Sequence, residues 1–225
     1  MSARANNYKI SIDGKWELKD LHSFAYAYTQ VYALIYSIAE GKVTPANPDE
    51  ESELAYDDAF EYESRTAYTR YPWRGGYSVF DFYQELYYSI PEANRPKIKS
   101  ISYASPGWLE LTLLTTAALS IEKIVKSIAR SVEIIDMTVD RMHKRAQKRK
   151  LLRATTRNKQ FELTTDDIRF LRESSEELAR LMGFDSLDQL HKLTGDPLVS
   201  FKILISFYRR VRPLADYQNQ RQIKL

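Results

Sequence analysis

KIKSISYASPGWLELTLLTTAALSIEKIVKSIARSVEIIDMTVDRMHKRAQKRKLLR, residues Lys97 to Arg153, decides the fold of this 225-residue chain. Its first part, Lys97 to Tyr103, is short, rich in Ile and Tyr, and preceded by Pro91 and Pro96, which marks a strand. Ala104-Ser105-Pro106-Gly107 follows as a turn, with Pro106 presetting φ and Gly107 supplying the positive φ of a type II turn. Beyond it Leu109, Leu111 and Leu113 alternate with Trp108, Glu110 and Thr112, the period-two signature of a strand with one buried face. A β-hairpin is expected.

From about Thr116 the period lengthens. Ala117, Ile121, Ile124, Ile128, Ser131, Ile135, Thr138 and Met142 fall at alternating steps of four and three, and neither Gly nor Pro interrupts the chain from Trp108 to Met182. This is the seam of one long helix, about 116–155, at coiled-coil spacing. Two uses follow from it. The seam packs on the chain's own hairpin, or Ile121, Ile124, Ile128, Ile135 and Met142 pair two copies into a homo-oligomer.

The helix then turns basic. Arg141, Lys144, Arg145, Lys148, Arg149, Lys150, Arg153, Arg157 and Lys159 are nine cations without an acid up to Gln160. The helix dipole favours cations only within the last turn, by about 0.3–1 kcal/mol each, so it does not account for nine. They are either a solvated helix end or a polyanion-binding stripe, with Arg141, Lys144, Arg145, Lys148, Arg149 and Arg153 as its contact residues and nucleic acid as the partner.

Working outward, Tyr8, Ile10 and Ile12 alternate up to Asp13-Gly14, and Trp16 and Leu18 resume the pattern, which predicts a first hairpin at Tyr8–Leu18. Asp20 is placed to cap a helix over Leu21–Ala39 that Gly41 closes. Seventeen residues, Ser23 to Ala39, carry no charge, but four tyrosines among them suit a buried helix better than a membrane span. Eight acids without a base, Asp49 to Glu63, form an acidic insert within about 42–76 that can neutralise the basic helix end. Arg70, Tyr71, Trp73, Arg74 and Tyr77 interleave rings with cations, either as cover for a core edge or as a ligand platform. Ser78 with Asp81 resembles a capping box before a short helix stopped by Pro91.

Beyond the basic stretch, caps at Thr164 or Thr165, Ser186 and Asp196-Pro197, with stops at Gly183, Gly195 and Pro213, predict three short helices. The expected organisation is an α+β domain over 1–155, a helical subdomain over 162–213 and a loose tail over 214–225. The fold class is α+β, mostly helical, with a small antiparallel sheet of two hairpins packed by a long helix.

Chemistry is sparse. There is no cysteine, so no disulfide, thiolate metal site or cysteine nucleophile. The seven glycines are accounted for by turns, helix ends and, for Gly75 and Gly76, one loop, leaving none for a phosphate-cradling loop. His22, His143 and His191 are scattered, and Asp57-Asp58 lacks a calcium-loop context. Ser105 is in a turn without the strand-to-helix elbow of a hydrolase nucleophile, and Glu110 has Thr112 where a nuclease needs Lys. No catalytic, metal or cofactor residues are assigned. With a net charge of +3 and an N-terminus without an apolar core, the expectation is a cytoplasmic, non-enzymatic interaction or regulatory module that meets itself, another protein or nucleic acid, but no membrane.

Overall fold

The computed structural model describes residues 6–40, 67, 68, 70, 75–151 and 163–225. In chain order they form β1 (Asn6–Ile12), α1 (Leu18–Glu40), α2 (Gly75–Ser89), β2 (Lys97–Ser102), β3 (Gly107–Leu113), α3 (Thr115–Lys148), α4 (Thr165–Met182), α5 (Asp188–Thr194), α6 (Pro197–Asn219) and β4 (Ile223–Lys224). The class is α+β and mostly helical, as the residue patterns predict. The acidic insert, Gly41, Tyr71, Trp73, Arg74, Arg153, Arg157 and Lys159 lie outside the described residues.

The sheet is antiparallel in the order β2-β3-β1-β4. The hairpin β2–β3 forms as expected, with Leu109, Leu111 and Leu113 buried on one face. Its turn differs from the expected type II: the Ser105–Pro106 peptide is cis and Gly107 has no positive φ. Gly107 is required for space instead, since a Cβ there would stand 2.7 Å from the Ala104 carbonyl oxygen and closer still to that of Ser102.

The hairpin expected at Tyr8–Leu18 is not formed. Asp13-Gly14 does turn the chain, with Gly14 at φ 75°, but Trp16 departs into an aromatic cluster and Leu18 opens α1. β1 pairs instead with β3, Ile10 opposite Leu109, and with β4, Ile12 opposite Ile223. A two-residue turn signal is local, whereas the face that Ile10 and Ile12 bury is completed only by a strand about a hundred residues away.

The seam of α3 is filled from within. Ile121, Ile124, Ile128, Ile135 and Met142 are all buried, and α6, α4, α1 and β1 lie against the helix. The seam passes a break at Ser131 (φ −129°, ψ 21°), beside which Asn219 Nδ2 donates to the Ala129 carbonyl at 3.0 Å. α1 is covered by α6, α2 and α3, which explains its charge-free middle: Tyr32 and Tyr36 are buried, and Tyr32 Oη donates to the Asn94 carbonyl (2.7 Å) while accepting from Leu114 N–H (3.0 Å). α2 begins at Gly75, so Ser78 is inside the helix rather than its cap.

Two of the three C-terminal helices carry the expected N-caps, whereas α5 is capped at Leu187 and not at Ser186, whose Oγ accepts from Asp188 N–H at 3.0 Å. Thr164 and Asp167 form a reciprocal capping box, Gly183 closes α4 at φ 84°, and the Asp196 carboxylate receives Leu198 and Val199 N–H before Pro197 opens α6. They share one continuous core with the sheet and α3. The tail is not loose. α6 runs through Pro213 to Asn219, and the chain then turns to lay β4 beside β1, burying Ile223 and Leu225. An internal proline costs a helix about 3 kcal/mol. Here Leu214 and Ala215 are completely buried just beyond it, and Tyr217 stacks on Trp16, which offsets that cost. No helix of the described residues is long and apolar enough to cross a membrane.

Candidate functional site

The sheet's core face runs past its helical cover at one end. There Ile12, Trp16, Leu18, Leu21, Phe24, Ile101, Tyr103 and Leu109 line a groove of about 270 Å³, with Glu17 as its one charged wall residue. The backbone explains why these residues meet. A bulge between Ile98 and Ser100 restarts the β2 register, so Ile98 faces Leu111 and Ile101 faces Leu109 although they are three apart. Both therefore join the core face and remain 60% and 47% exposed, Ile101 lining the groove with Leu18, Leu21 and Phe24 of α1.

The groove is framed before anything enters it. Trp16 forms the floor, stacked on Tyr217 (centroids 5.2 Å apart, planes at 17°) and edge-on to Phe24, with its indole N–H donating to the Asp13 carbonyl at 3.0 Å. Tyr103 Oη accepts from Trp16 N–H at 3.3 Å, tying the β2–β3 turn to the β1–α1 turn. Ser105 Oγ donates to Asp13 Oδ1, which also accepts from Gly14 N–H at 2.7 Å. The Ser105 hydroxyl and the Gly14 N–H hold the Asp13 carboxyl below its ordinary range. Beside this hollow stand two projections, Leu18 at 84% exposure and Tyr103 at 65%. Flanking charges are satisfied within the chain: Lys19 by Glu17 (2.8 Å), Lys97 by Glu92 (3.1 Å) and Lys99 by Glu110 (3.3 Å). Ser100 Oγ, donating at 2.8 Å, and then Lys99 lower the Glu110 carboxyl. The chemistry on offer is apolar contact, with one carboxylate and one phenol at the rim.

The sites read from sequence are distributed otherwise. Ile121, Ile124, Ile128, Ile135 and Met142 are core residues, so the seam does not offer them to a second copy in this fold; the large apolar residues α3 turns outward are Leu119, Ile134 and Met137. Of the aromatic platform, Arg70 is described, paired with Glu85 at 2.9 Å, and the Tyr77 backbone belongs to α2. In the basic stretch, Arg141 meets Glu177 (2.6 Å) and Arg149 meets Asp167 (2.7 Å), both on α4. Burial pushes the Asp167 carboxyl up, but Arg149 and the Thr164 hydrogen bonds outweigh it and hold it below the ordinary value. Lys144, Arg145 and Lys148 are exposed and have no acidic partner among the described residues.

Two polar clusters elsewhere fasten helices. His191 Nδ1 lies 3.0 Å from Ser200 Oγ, but Ser200 is wholly buried and also within 2.6 Å of Thr194 Oγ1, so the group ties α5 to α6. Burial and then the Arg172 charge lower the His191 imidazole. Asp136 receives Tyr208 Oη and Arg212, joining α3 to α6. No group of acids and histidines among the described residues is placed to hold a metal ion.

The groove was not foreseen from sequence. Its residues are apolar in the sequence, but their alternation places Trp16 and Leu18 on a strand, and a bulge leaves no mark in a period-two pattern. Comparison with protein-family models, curated proteins and solved structures finds no match to this chain.

Proposed function

We propose that the protein is a non-enzymatic, cytoplasmic interaction module that self-associates, and that the surface it uses is the apolar strip of Leu18, Ile98, Ile101 and Tyr103 with the groove beside it. The observation that carries this reading is self-complementarity: one patch holds both projections and a preformed hollow. A two-fold axis delivers each copy's projections to the other's hollow, which is what an isologous dimer requires. Like charges do not oppose the approach, because Lys19, Lys97 and Lys99 are neutralised within the chain. A bulge and lysines are the usual guards of an edge strand. They bear on the β2 ladder, so the face of the strip and not its backbone is the adhesive part.

The absence of native cysteine allows a direct test. Tyr103→Cys and, as a second reporter, Ile134→Cys on the outer side of α3 are treated with a short bismaleimide. Covalent dimer from Tyr103→Cys and not from Ile134→Cys is the expected result. Dimer from Ile134→Cys alone moves the interface to the long helix, and no dimer from either removes self-association.

A further inference from the structure

The last turns of α3 support a second binding activity that the apolar strip does not use. An ideal helix turns about 100° per residue, so Arg141, Lys144, Arg145 and Lys148, at steps of three, one and three, fall within an arc of about 100°. Opposite that arc, Met142 and Ala146 are buried, and Leu151 just past the helix end is wholly buried. The basic face is therefore carried on an anchored helix end. Its borders are fastened by the two ion pairs to α4, which occupy Glu177 and Asp167; Asp166 is taken by Arg169. What remains between those borders is Lys144, Arg145 and Lys148, exposed and without an acidic partner among the described residues.

We infer that this face binds the phosphodiester backbone of a nucleic acid. Point cations in a line on a rigid element are suited to successive phosphates, and their binding is driven by counterion release. From Arg141 to Leu151 there is no Phe, Tyr or Trp to stack on a base, so the contacts position a backbone and do not read sequence. An anionic bilayer is the weaker candidate: helices that lie on membranes present an exposed apolar face beside the basic one, and here both apolar residues of this stretch up to Lys150, Met142 and Ala146, are buried.

The test is anisotropy of a short fluorescein-labelled DNA duplex of arbitrary sequence, titrated with the full chain. Neutralising three or four phosphates predicts a log–log salt slope of about −2.7 to −3.6, a loss of roughly 40- to 150-fold in affinity between about 50 and 200 mM salt. The triple variant Lys144→Ala/Arg145→Ala/Lys148→Ala flattens that slope by about 2.7. A control of equal charge loss elsewhere on the surface, Lys9→Ala/Lys123→Ala/Lys192→Ala, leaves the slope within one unit of the original. Thermal melts of both variants matching the parent confirm that the folds compared are the same. The inference is overturned by no binding at the lower salt, by equal loss in the two triple variants, or by capture on phosphatidylserine vesicles in preference to the duplex.

Discussion

The sheet ends in β4 on one side, two residues long, with Ile223 and Leu225 buried under α6, and in β2 on the other, six residues long, with Ile98, Ile101 and Tyr103 exposed. The residue types are alike, yet one edge is finished within the chain and the other is left apolar. The difference lies in cover. The C-terminal residues fold back past Gln220 and bring their own helix with them, whereas Ile98 and Ile101 of β2 are left largely open, with a groove between Ile101 and α1. Apolar residues at an edge thus report on stability in one case and, in our account, on association in the other.

Substitutions that exchange buried and open positions put this contrast under the greatest strain. Ile128→Glu places an unpaired carboxylate in the wholly buried seam and should cost about 4 kcal/mol or more, enough to unfold much of the population by urea titration followed by circular dichroism. Ile101→Glu at the open edge should change monomer stability by no more than about 0.5 kcal/mol. If the two variants melt alike, the distinction between seam and edge fails. A smaller effect is expected at the closed edge, where Ile223→Ala should cost about 2–4 kcal/mol against about 0.5 or less for Ile98→Ala, read as midpoints of urea denaturation. Equal losses would mean that the β2 strip is covered within the chain.

The smallest effect is in pH. The Asp13 carboxyl, held low by Ser105 and Gly14, contributes stability that is present above its unfolded value of about 3.9 and lost as pH falls through the folded one. Asp13→Asn should therefore lower the neutral plateau of melting temperature slightly and flatten its acid limb, the variant and parent converging at low pH. An unaltered acid limb would show that the tie between the two turns is not formed in solution.

Much of this architecture was legible where sequence and structure are both local. Leu109, Leu111 and Leu113 alternate and are buried; the four-three spacing from Ala117 to Met142 is the inner face of α3; Asp196-Pro197 and Gly183 bound their helices. What escaped depends on distant partners. Asp13-Gly14 is a true turn, but whether a strand or a helix follows was decided by Phe24 and Tyr217 receiving Trp16. Pro213 reads as a stop, and burial of Leu214 and Ala215 carries the helix through it. The seam from Ala117 to Met142 is legible as a buried face, but its cover is α6, α4 and α1, elements whose docking no periodicity announces. The apolar strip was hidden for a related reason, because the bulge at Ile98/Ser100 sets two isoleucines three apart on one face. Of the basic stretch, Arg141, Lys144, Arg145 and Lys148 lie on α3, where composition along one helix makes them legible.

The central claim is that the Leu18–Ile98–Ile101–Tyr103 strip holds two copies together, and sedimentation velocity of the parent chain beside Ile101→Glu addresses it most directly. A carboxylate at that position must be desolvated in the dimer but stays in water in the monomer, so the substitution penalises association alone. The account predicts a parent that sediments as a dimer at micromolar concentration and a variant that sediments as a folded monomer. A monomeric parent, or a variant whose dimer is as stable as the parent's, would contradict it.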